Sequence, residues 1–435
     1  MNPLLHQDGL LGQNNYYEAT VQRPAALPPL QGAERADVVV VGAGYAGLSA
    51  AIELAQRGMK VVVLESGRIC SGASGRNGGQ LLVGVACGQR VLEQQLGRDA
   101  AHRIWTMSVQ AVEQVVQRIK DWQIDCDYRA GALTVAVSAA KARALTTEAE
   151  YLNAHYGFAL QQIPLDALPQ YIASTRYCGA HYDRVSGHLN PLKWGVGLAR
   201  VAQALGVQIY EHTAVRKLQH GTTVSAMTDS GLVQAQYAVL AGNCMLSQHS
   251  PALSQSIAAR IMPVGTYMVA TEPLDPALCQ QLIPSNAAVC DNNVVLDYFR
   301  LSPDYRMLFG GQVSYSTRTP VGLHQRMATR MTQIFPALAG VSIPYLWGGF
   351  VDITMNRAPD FGRLEHNVYY LQGFSGHGVA LTHAAGTLVA ETIAGQAGRF
   401  DVFAQLRHTP FPGGAWFRTP TLVLGMLYHR LRDML

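Results

Sequence analysis

The chain has 435 residues, 49% of them hydrophobic and 14% charged, with 33 Lys and Arg against 29 Asp and Glu. So apolar a composition excludes a disordered chain, and a net charge of +4 without a dense basic run excludes a nucleic-acid-binding surface. Seven scattered cysteines without a C-x-x-C pair exclude a disulfide framework or a zinc site; no metal is expected, and a reducing cytosol is the expected compartment.

A membrane span needs about 20 predominantly apolar residues, and no stretch here meets that. The run between Asp37 and Glu53 contains Gly42, Gly44 and Gly47, and the run between Asp229 and Arg260 is broken by Gln234, Gln236, Asn243, Gln248, His249 and Pro251. The N-terminus has neither the basic start nor the apolar run of a signal peptide. The length predicts two or more domains.

Residues 1–35 form a polar leader with Pro24, Pro28 and Pro29 and the aromatic pair Tyr16-Tyr17. Val38–Val41 predicts a strand buried on both faces, as in a parallel sheet. A Gly-rich turn follows, then a helix through Leu48, Ala51, Ile52 and Ala55 that Gly58 stops, then a second buried strand over 61–64. A further helix is predicted from about Asp99 to Trp122, on the spacing of Ile104, Met107, Val112, Val115, Ile119 and Trp122. Beyond it the texture changes to short strands: 131–137, 208–210, and 294–300 within a hairpin that turns at Ser302-Pro303-Asp304-Tyr305. Strand-then-helix grammar returns at 237–242 and from Val368 to Ile393.

The strongest chemical signal is Gly42-Ala43-Gly44-Tyr45-Ala46-Gly47, because it follows a buried strand, opens a helix and leads to a second strand ending in Glu65. The first glycine permits the tight turn and the second lets a pyrophosphate approach the backbone. The third allows close helix–strand packing, with the phosphates at the helix N-terminus. Glu65 is placed to accept hydrogen bonds from a ribose and argues against a 2′-phosphate, so the adenosine belongs to FAD or NAD. A second signal, Ser71–Gln80, is a small-residue loop exposing many backbone N–H groups beside Arg76 and Asn77; an ordinary surface loop has the same composition. A third, Gly373-Phe374-Ser375-Gly376-His377-Gly378-Val379, opens an Ala-rich helix whose N-terminus suits the negative charge of a reduced flavin.

These three motifs, with their flanks VVVVGAGYAGLSAAIELAQRG, SGASGRNGGQ and GFSGHGV, resemble the FAD-dependent oxidoreductases of the D-amino-acid oxidase, glycine oxidase and sarcosine oxidase type. The branch they most resemble is γ-glutamylputrescine oxidase-like, which has a similar leader at Tyr16–Thr20 and a similar tail from Pro410. The resemblance implies an α/β and α+β fold: a Rossmann-like FAD-binding domain in discontinuous segments (36–90, 185–250 and 350–405) and a substrate domain with a mainly antiparallel sheet (91–184 and 251–349). Residues 1–35 and 406–435 flank them as leader and tail. It further implies that Gly42, Gly44, Tyr45, Ala46 and Gly47 cradle the pyrophosphate and that Glu65 and Ser66 lie at the adenine-side ribose, with Val215 an adenine neighbour. Ala73, Ser74, Arg76, Asn77, Gly78, Gly79 and Gln80 would run beside the phosphates and isoalloxazine. Ala241-Gly242 would turn near the cofactor, and Gly373, Gly376, His377, Gly378 and Val379 would face the pyrimidine end of the flavin.

The departures from the family matter as much. Amino-acid-oxidising members place an arginine about eight residues before a proline–x–x–glycine; with Pro359–Gly362 as anchor, Val351 stands there, although Arg300 or Arg357 could substitute. The strand around Gly349–Ile353 offers no attachment cysteine, and the loop at Arg76–Gln80 no attachment histidine, so the FAD is expected to be non-covalent. Tyr298 and Arg300 share one face of their strand, with Phe299 on the other. If that face covers the flavin, Tyr298 could close the site and Arg300 bind an acidic end of the substrate; surface or core packing is the alternative for both. Tyr267 and His377 are further candidates for catalysis, each with a packing role as the alternative.

The tail 412–435, with Trp416, Phe417, Leu422, Leu427 and Leu431 among Arg418, Arg430 and Arg432, fits a helix docked on the body or a subunit, or an interfacial membrane helix. The expected activity is oxidation of a small-molecule amine, γ-glutamylputrescine or a relative, with oxygen or an electron carrier as acceptor. The alternatives are oxidation of a cyclic or N-substituted amino acid, such as pipecolate or sarcosine, and a membrane-associated electron-transferring dehydrogenase. Oligomeric state is not legible.

Overall fold

A computed structural model describes residues 3–293, 295–315 and 318–412, the side chains at 252, 254 and 255 excepted. The four valines of Val38–Val41 form the middle of a six-stranded sheet. They pair in parallel with Val61–Leu64 on one side and Tyr237–Leu240 on the other. Gln208–Tyr210 and Val368–Gln372 extend the two edges in parallel, and Asp360–Glu365 closes the latter edge antiparallel. Val38 and Val40 pack into the cluster under helices Tyr45–Gln56 and Leu381–Ile393. Val39 and Val41 enter the opposite cluster with Val224, Ala226 and Val233, which belong to a small four-stranded sheet. Both faces are therefore covered, which is why the run has no polar alternation; each buried valine contributes roughly 1.5–3 kcal/mol of transfer free energy.

Helix Leu381–Ile393 lies so close on helix Tyr45–Gln56 that a Cβ at Gly386 would stand 2.6 Å from the Ala50 nitrogen. Behind this contact, helix Arg98–Asp121 sends in the buried Arg118, which pairs with Glu53 and donates to Ser49 Oγ at 2.9 Å. Trp194 Nε1 donates to His383 Nε2 at 2.9 Å. Burial and the Arg118 charge keep that histidine neutral.

The second large sheet runs in the order Tyr345–Thr354, Ile261–Ala270, Met307–Ser314, Tyr298–Leu301, Ala288–Asp291, Arg129–Val135, Ala180–His188 and Gln80–Leu81, with Gln161–Ile163 beside Ala180–His188. It is antiparallel apart from the pairing of Ala288–Asp291 with Arg129–Val135. The expected hairpin is present, with Tyr298 opposite Gly310 and Leu301 opposite Met307. Its first strand begins only at Tyr298, because Asp291 and Asp297 close a turn just before it; Val294 lies outside the described residues. One face of the sheet (Met268, Tyr298, Leu308, Trp347) joins the core of the six-stranded sheet and its helices. The other (Tyr267, Val269, Phe299, Phe309) packs with Met327 and Met331 of helix Leu323–Ile334.

The leader is not a loose extension. It forms helices Pro3–Leu11 and Tyr16–Thr20 and a strand, Gly32–Arg35, paired in parallel with Gly231–Ala235. Tyr16 and Tyr17 are buried, the latter edge-on to Trp347 with ring centres 5.4 Å apart. Among the described residues no helix is long and apolar enough to cross a membrane. The expectations for the basic, apolar tail from residue 413 onward lie outside the described residues.

Candidate functional site

At the carboxyl ends of strands Val38–Val41, Val61–Leu64 and Tyr237–Leu240 opens a cavity of about 270 Å³. This is where open α/β sheets bind nucleotides. Its wall includes Gly42, Gly44, Glu65, Ser66, Ala73, Ser74, Val215, Ala241 and Gly242. A second cavity of about 110 Å³ is lined by Tyr45, Ala46, Asn77, Gly376, Gly378 and Val379. The two share Gly44, Ala73, Ser74, Ala241 and Asn243, so they form one elongated slot that passes over the start of helix Tyr45–Gln56.

The glycines of the turn have separable duties. Gly42 takes φ +106°, a conformation only glycine adopts readily. Gly47 does not line the slot: a Cβ there would fall 1.9 Å from the Gly42 carbonyl oxygen, so its bareness lets the helix sit on the turn. Gly44 stands at the N-cap without a side-chain cap, and a Cβ there would meet Ser74 Oγ at 2.9 Å. Ser74 Oγ instead accepts the Tyr45 N–H at 3.1 Å, which ties the 73–80 loop to the positive end of the helix.

Glu65 fronts the slot and spans the turn, accepting from Ala43 N–H at 2.7 Å and Gly67 N–H at 2.8 Å. Burial raises its pKa and these backbone donors oppose the rise. Oε1 also accepts from Ser66 Oγ at 3.2 Å, so Oε2 is the oxygen that keeps a lone pair for a ribose hydroxyl. In the loop, Ala73, Ser74 and Asn77 reach the walls, whereas Arg76, Gly78, Gly79 and Gln80 support them. Asn77 is an internal staple: Nδ2 donates to the Ala73 and Ser74 carbonyls at 3.0 Å and Oδ1 accepts from Gly79 N–H at 2.8 Å. Gly79 adopts φ +81° against the Leu189 carbonyl, and Gln80 pairs with His188 in the large sheet. Arg76 turns outward to Asp8 and the Gly348 carbonyl, while its own carbonyl accepts Trp347 Nε1 at 2.9 Å.

Tyr298 and Arg300 do lie on the face that meets this loop. The Tyr298 ring lies flat on Gly310 and beside Gly78, leaving no room for a Cβ at either. Arg300 is 1% exposed and fully engaged, with Nε to the Gly78 carbonyl at 2.7 Å, Nη1 to the Leu301 carbonyl and Nη2 to Tyr17 Oη at 3.1 Å. That burial does not fit the expectation that it binds an acidic end of the substrate; it supports the loop. Tyr267 takes the position of its packing alternative. It sits on the opposite face, 1% exposed among Val269, Phe299 and Phe309, and shares no wall with the slot. His377 stands beside Gly376 and Gly378 and donates Nε2–H to the Val83 carbonyl at 2.9 Å. Burial lowers its pKa, so it is neutral and its remaining nitrogen is an acceptor. Gly373, at φ +77°, presses on Thr354 and gives its N–H to Asp352 Oδ2 at 2.5 Å.

Several wall residues escaped the sequence reading. Asn243, at φ +52°, directly follows Ala241-Gly242 and could have been suspected from that pair. Asp352, whose carboxyl burial pushes up to about 7, lines the ring end of the slot and anchors the Gly373 loop. Leu5 and Asp8 of the leader line the other end, and no local signal announces them.

The slot fits FAD. A dinucleotide requires an adenosine pocket beside a carboxylate, a pyrophosphate berth at a helix start and a flat apolar compartment near a second helix start. Val215 with Glu65, Gly42–Gly44 with Ser74, and Leu371–Val379 supply these in that order. The ring compartment has no cysteine or histidine in its wall. Acid precipitation of the purified protein is therefore expected to leave the yellow flavin in the supernatant; colour retained in the pellet would show a covalent link.

Comparison with known proteins agrees with this geometry. The family model described as "FAD dependent oxidoreductase" (DAO) matches residues 37–392. The chain is 42% identical over 422 residues to the γ-glutamylputrescine oxidoreductase of Escherichia coli K12, covering 97% of this chain and 98% of the relative. It is 23% identical to a glycine oxidase of Bacillus licheniformis, over 83% of this chain and 94% of that one. The crystal structure of glycine oxidase from Geobacillus kaustophilus superposes with a TM-score of 0.72 at 20% identity, covering 86% of this chain and all of that one. The chain is a member of the DAO family of FAD-dependent oxidoreductases.

Proposed function

We propose that this protein oxidises an amine at the carbon bearing the nitrogen, on γ-glutamylputrescine or a related polyamine derivative. The observation that carries this reading is Val351, an apolar residue in the strand that lines the ring compartment. A simple α-amino acid held by its carboxylate would need a cation facing the substrate side of the bound ring. Val351 stands where amino-acid-oxidising relatives have theirs, and Arg300 is committed to the loop. The near full-length likeness to a γ-glutamylputrescine oxidoreductase supports the same substrate class.

Held by Gly42–Gly44, Ser74 and Glu65, FAD would supply the redox chemistry as the acceptor of a hydride from that carbon. The protein presents an apolar, water-poor compartment whose walls orient the C–H bond. The start of helix Leu381–Ile393, reached through Gly376, Gly378 and Val379, directs the positive end of a helix dipole at the far end of the compartment. Neutral His377 adds no charge there. Only the unprotonated amine has the lone pair that drives the transfer, and the product imine hydrolyses to a carbonyl compound in water.

Anaerobic stopped-flow mixing with a panel of amines tests this. Flavin bleaching is expected to be fast with γ-glutamylputrescine and slow with glycine, sarcosine and pipecolate, and to accelerate with pH through the amine pKa. Fast bleaching confined to the amino acids, or a pH-independent rate, would overturn the reading.

A further inference from the structure

The leader reaches the cofactor slot from outside both large sheets, and its contacts converge on one loop. Leu4 and Leu11 bury one side of helix Pro3–Leu11 in the substrate-sheet core, and Gln7 Nε2 donates to Thr319 Oγ1. Leu5 and Asp8 thereby become part of the slot's wall, next to Phe350. Asp8 Oδ1 pairs with Arg76 Nη1 at 3.1 Å, the Asp8 carbonyl accepts from the same nitrogen at 3.0 Å, and both side chains are largely sheltered. Gly12 closes over the pair: a Cβ there would lie 2.8 Å from Arg76 Nη2. Five residues on, Tyr17 Oη accepts from Arg300, whose Nε holds the Gly78 carbonyl, and Tyr17 rests on Trp347, which donates to the Arg76 carbonyl. Arg76 and Gly78, on either side of Asn77, are thus held by two points of the leader.

We propose that the leader is a component of the FAD site, in which helix Pro3–Leu11 closes the slot over the cofactor and Asp8 is a positioning residue that acts through Arg76. FAD leaves when the helix lifts, and the Asp8–Arg76 pair sets how often it does. The ion pair is placed for this: Gly12 and Gly348 flank it, so its charges attract with little screening by water, at a desolvation cost to Asp8. Its two halves belong to the moving helix and to the loop against the cofactor. The inference rests on FAD occupying the slot and not on the identity of the amine.

Release of FAD from the holoenzyme on large dilution, followed by the fluorescence of the flavin set free, tests the proposal without turnover. Asp8→Asn, which keeps the shape and removes the charge, is expected to speed release by about ten-fold, the scale of one charge-assisted hydrogen bond. Deletion of residues 1–12 is expected to speed it further. Glu18→Gln breaks a different leader pair, Glu18 with Arg23, that does not touch the slot, and is expected to leave release unchanged. Unchanged release on deletion would overturn the proposal. Unchanged release in Asp8→Asn alone would overturn the role of Asp8, and equal acceleration in Glu18→Gln would replace the latch with general loosening of the leader.

Discussion

Replacing Gly47 by alanine is expected to yield protein that purifies without flavin. The added Cβ would stand 1.9 Å from the Gly42 carbonyl oxygen and 3.2 Å from Val40 Cγ1. The first neighbour is backbone of the tight turn and has no rotamer to change. Helix Tyr45–Gln56 must therefore move off the turn, but Gly386 pins its other side at Ala50. Overpacking of this kind costs typically 1–3 kcal/mol. Here the displacement falls on the N–H groups at the helix start, where the slot would hold the FAD pyrophosphate, so affinity is expected to suffer beyond stability. We expect FAD binding weakened by about 100-fold or more, equivalent to roughly 2.7 kcal/mol, read from the ratio of flavin to protein absorbance and from titration of the apoprotein. Gly44→Ala separates the two effects. Its Cβ would meet the movable hydroxyl of Ser74 at 2.9 Å, so the fold should survive while the phosphate berth narrows. Wild-type flavin content in Gly47→Ala would show that the turn does not hold the cofactor as described.

The part of the site built within thirty residues of chain was legible in advance. Strand, glycine turn, helix and Glu65 are consecutive, and each residue type answers a local steric or hydrogen-bonding demand. The loop at 71–80 was legible as a motif but less so as chemistry. Asn77 satisfies the loop's own carbonyls, and Arg76 turns to a leader whose Asp8 lies 68 residues upstream, with Gly348 272 residues downstream. The large sheet shows another limit. Alternation established that Tyr298 and Arg300 share a face, but which face meets the cofactor depends on the register of strands far apart in sequence. Between Thr266 and Tyr267 a bulge shifts the pairing with Met307–Ser314. Tyr267 shares its face with Val269 and Phe309 in the helix-covered core, whereas Tyr298, two strands away and in line with Gly310 and Met268, faces the loop. The leader was the least legible element. Its polar composition conceals Leu4, Leu5, Leu11, Tyr16 and Tyr17, which become apolar contacts only once the sheets exist to receive them.

Replacing Arg300 by methionine is expected to cost both stability and the rate of flavin reduction, and the pattern of loss distinguishes two roles. The buried guanidinium satisfies the Gly78 and Leu301 carbonyls and Tyr17 Oη at once. Methionine fills similar space but leaves these three oxygens without their charged donor, and hydrogen bonds to charged groups are worth about 1.5–3 kcal/mol. A loss of about 2–4 kcal/mol in unfolding free energy follows, since the contacts share one side chain and do not add. The loop then loses its anchor behind Asn77, and the bound ring loses a fixed neighbour. A positioning residue should lower the limiting rate of reduction by about ten-fold or more for every substrate, because small misplacements at the reacting carbon are costly. Apparent substrate affinity should change little. A residue that binds a substrate carboxylate would behave otherwise: affinity would fall for amines carrying a carboxylate and stay constant for analogues lacking it. Arg300→Lys retains the charge but not the planar fork that reaches three acceptors, so it should recover stability only in part and leave reduction slow. If the lysine variant restores full activity toward carboxylate-bearing amines alone, charge recognition and not support of the loop is the duty of Arg300.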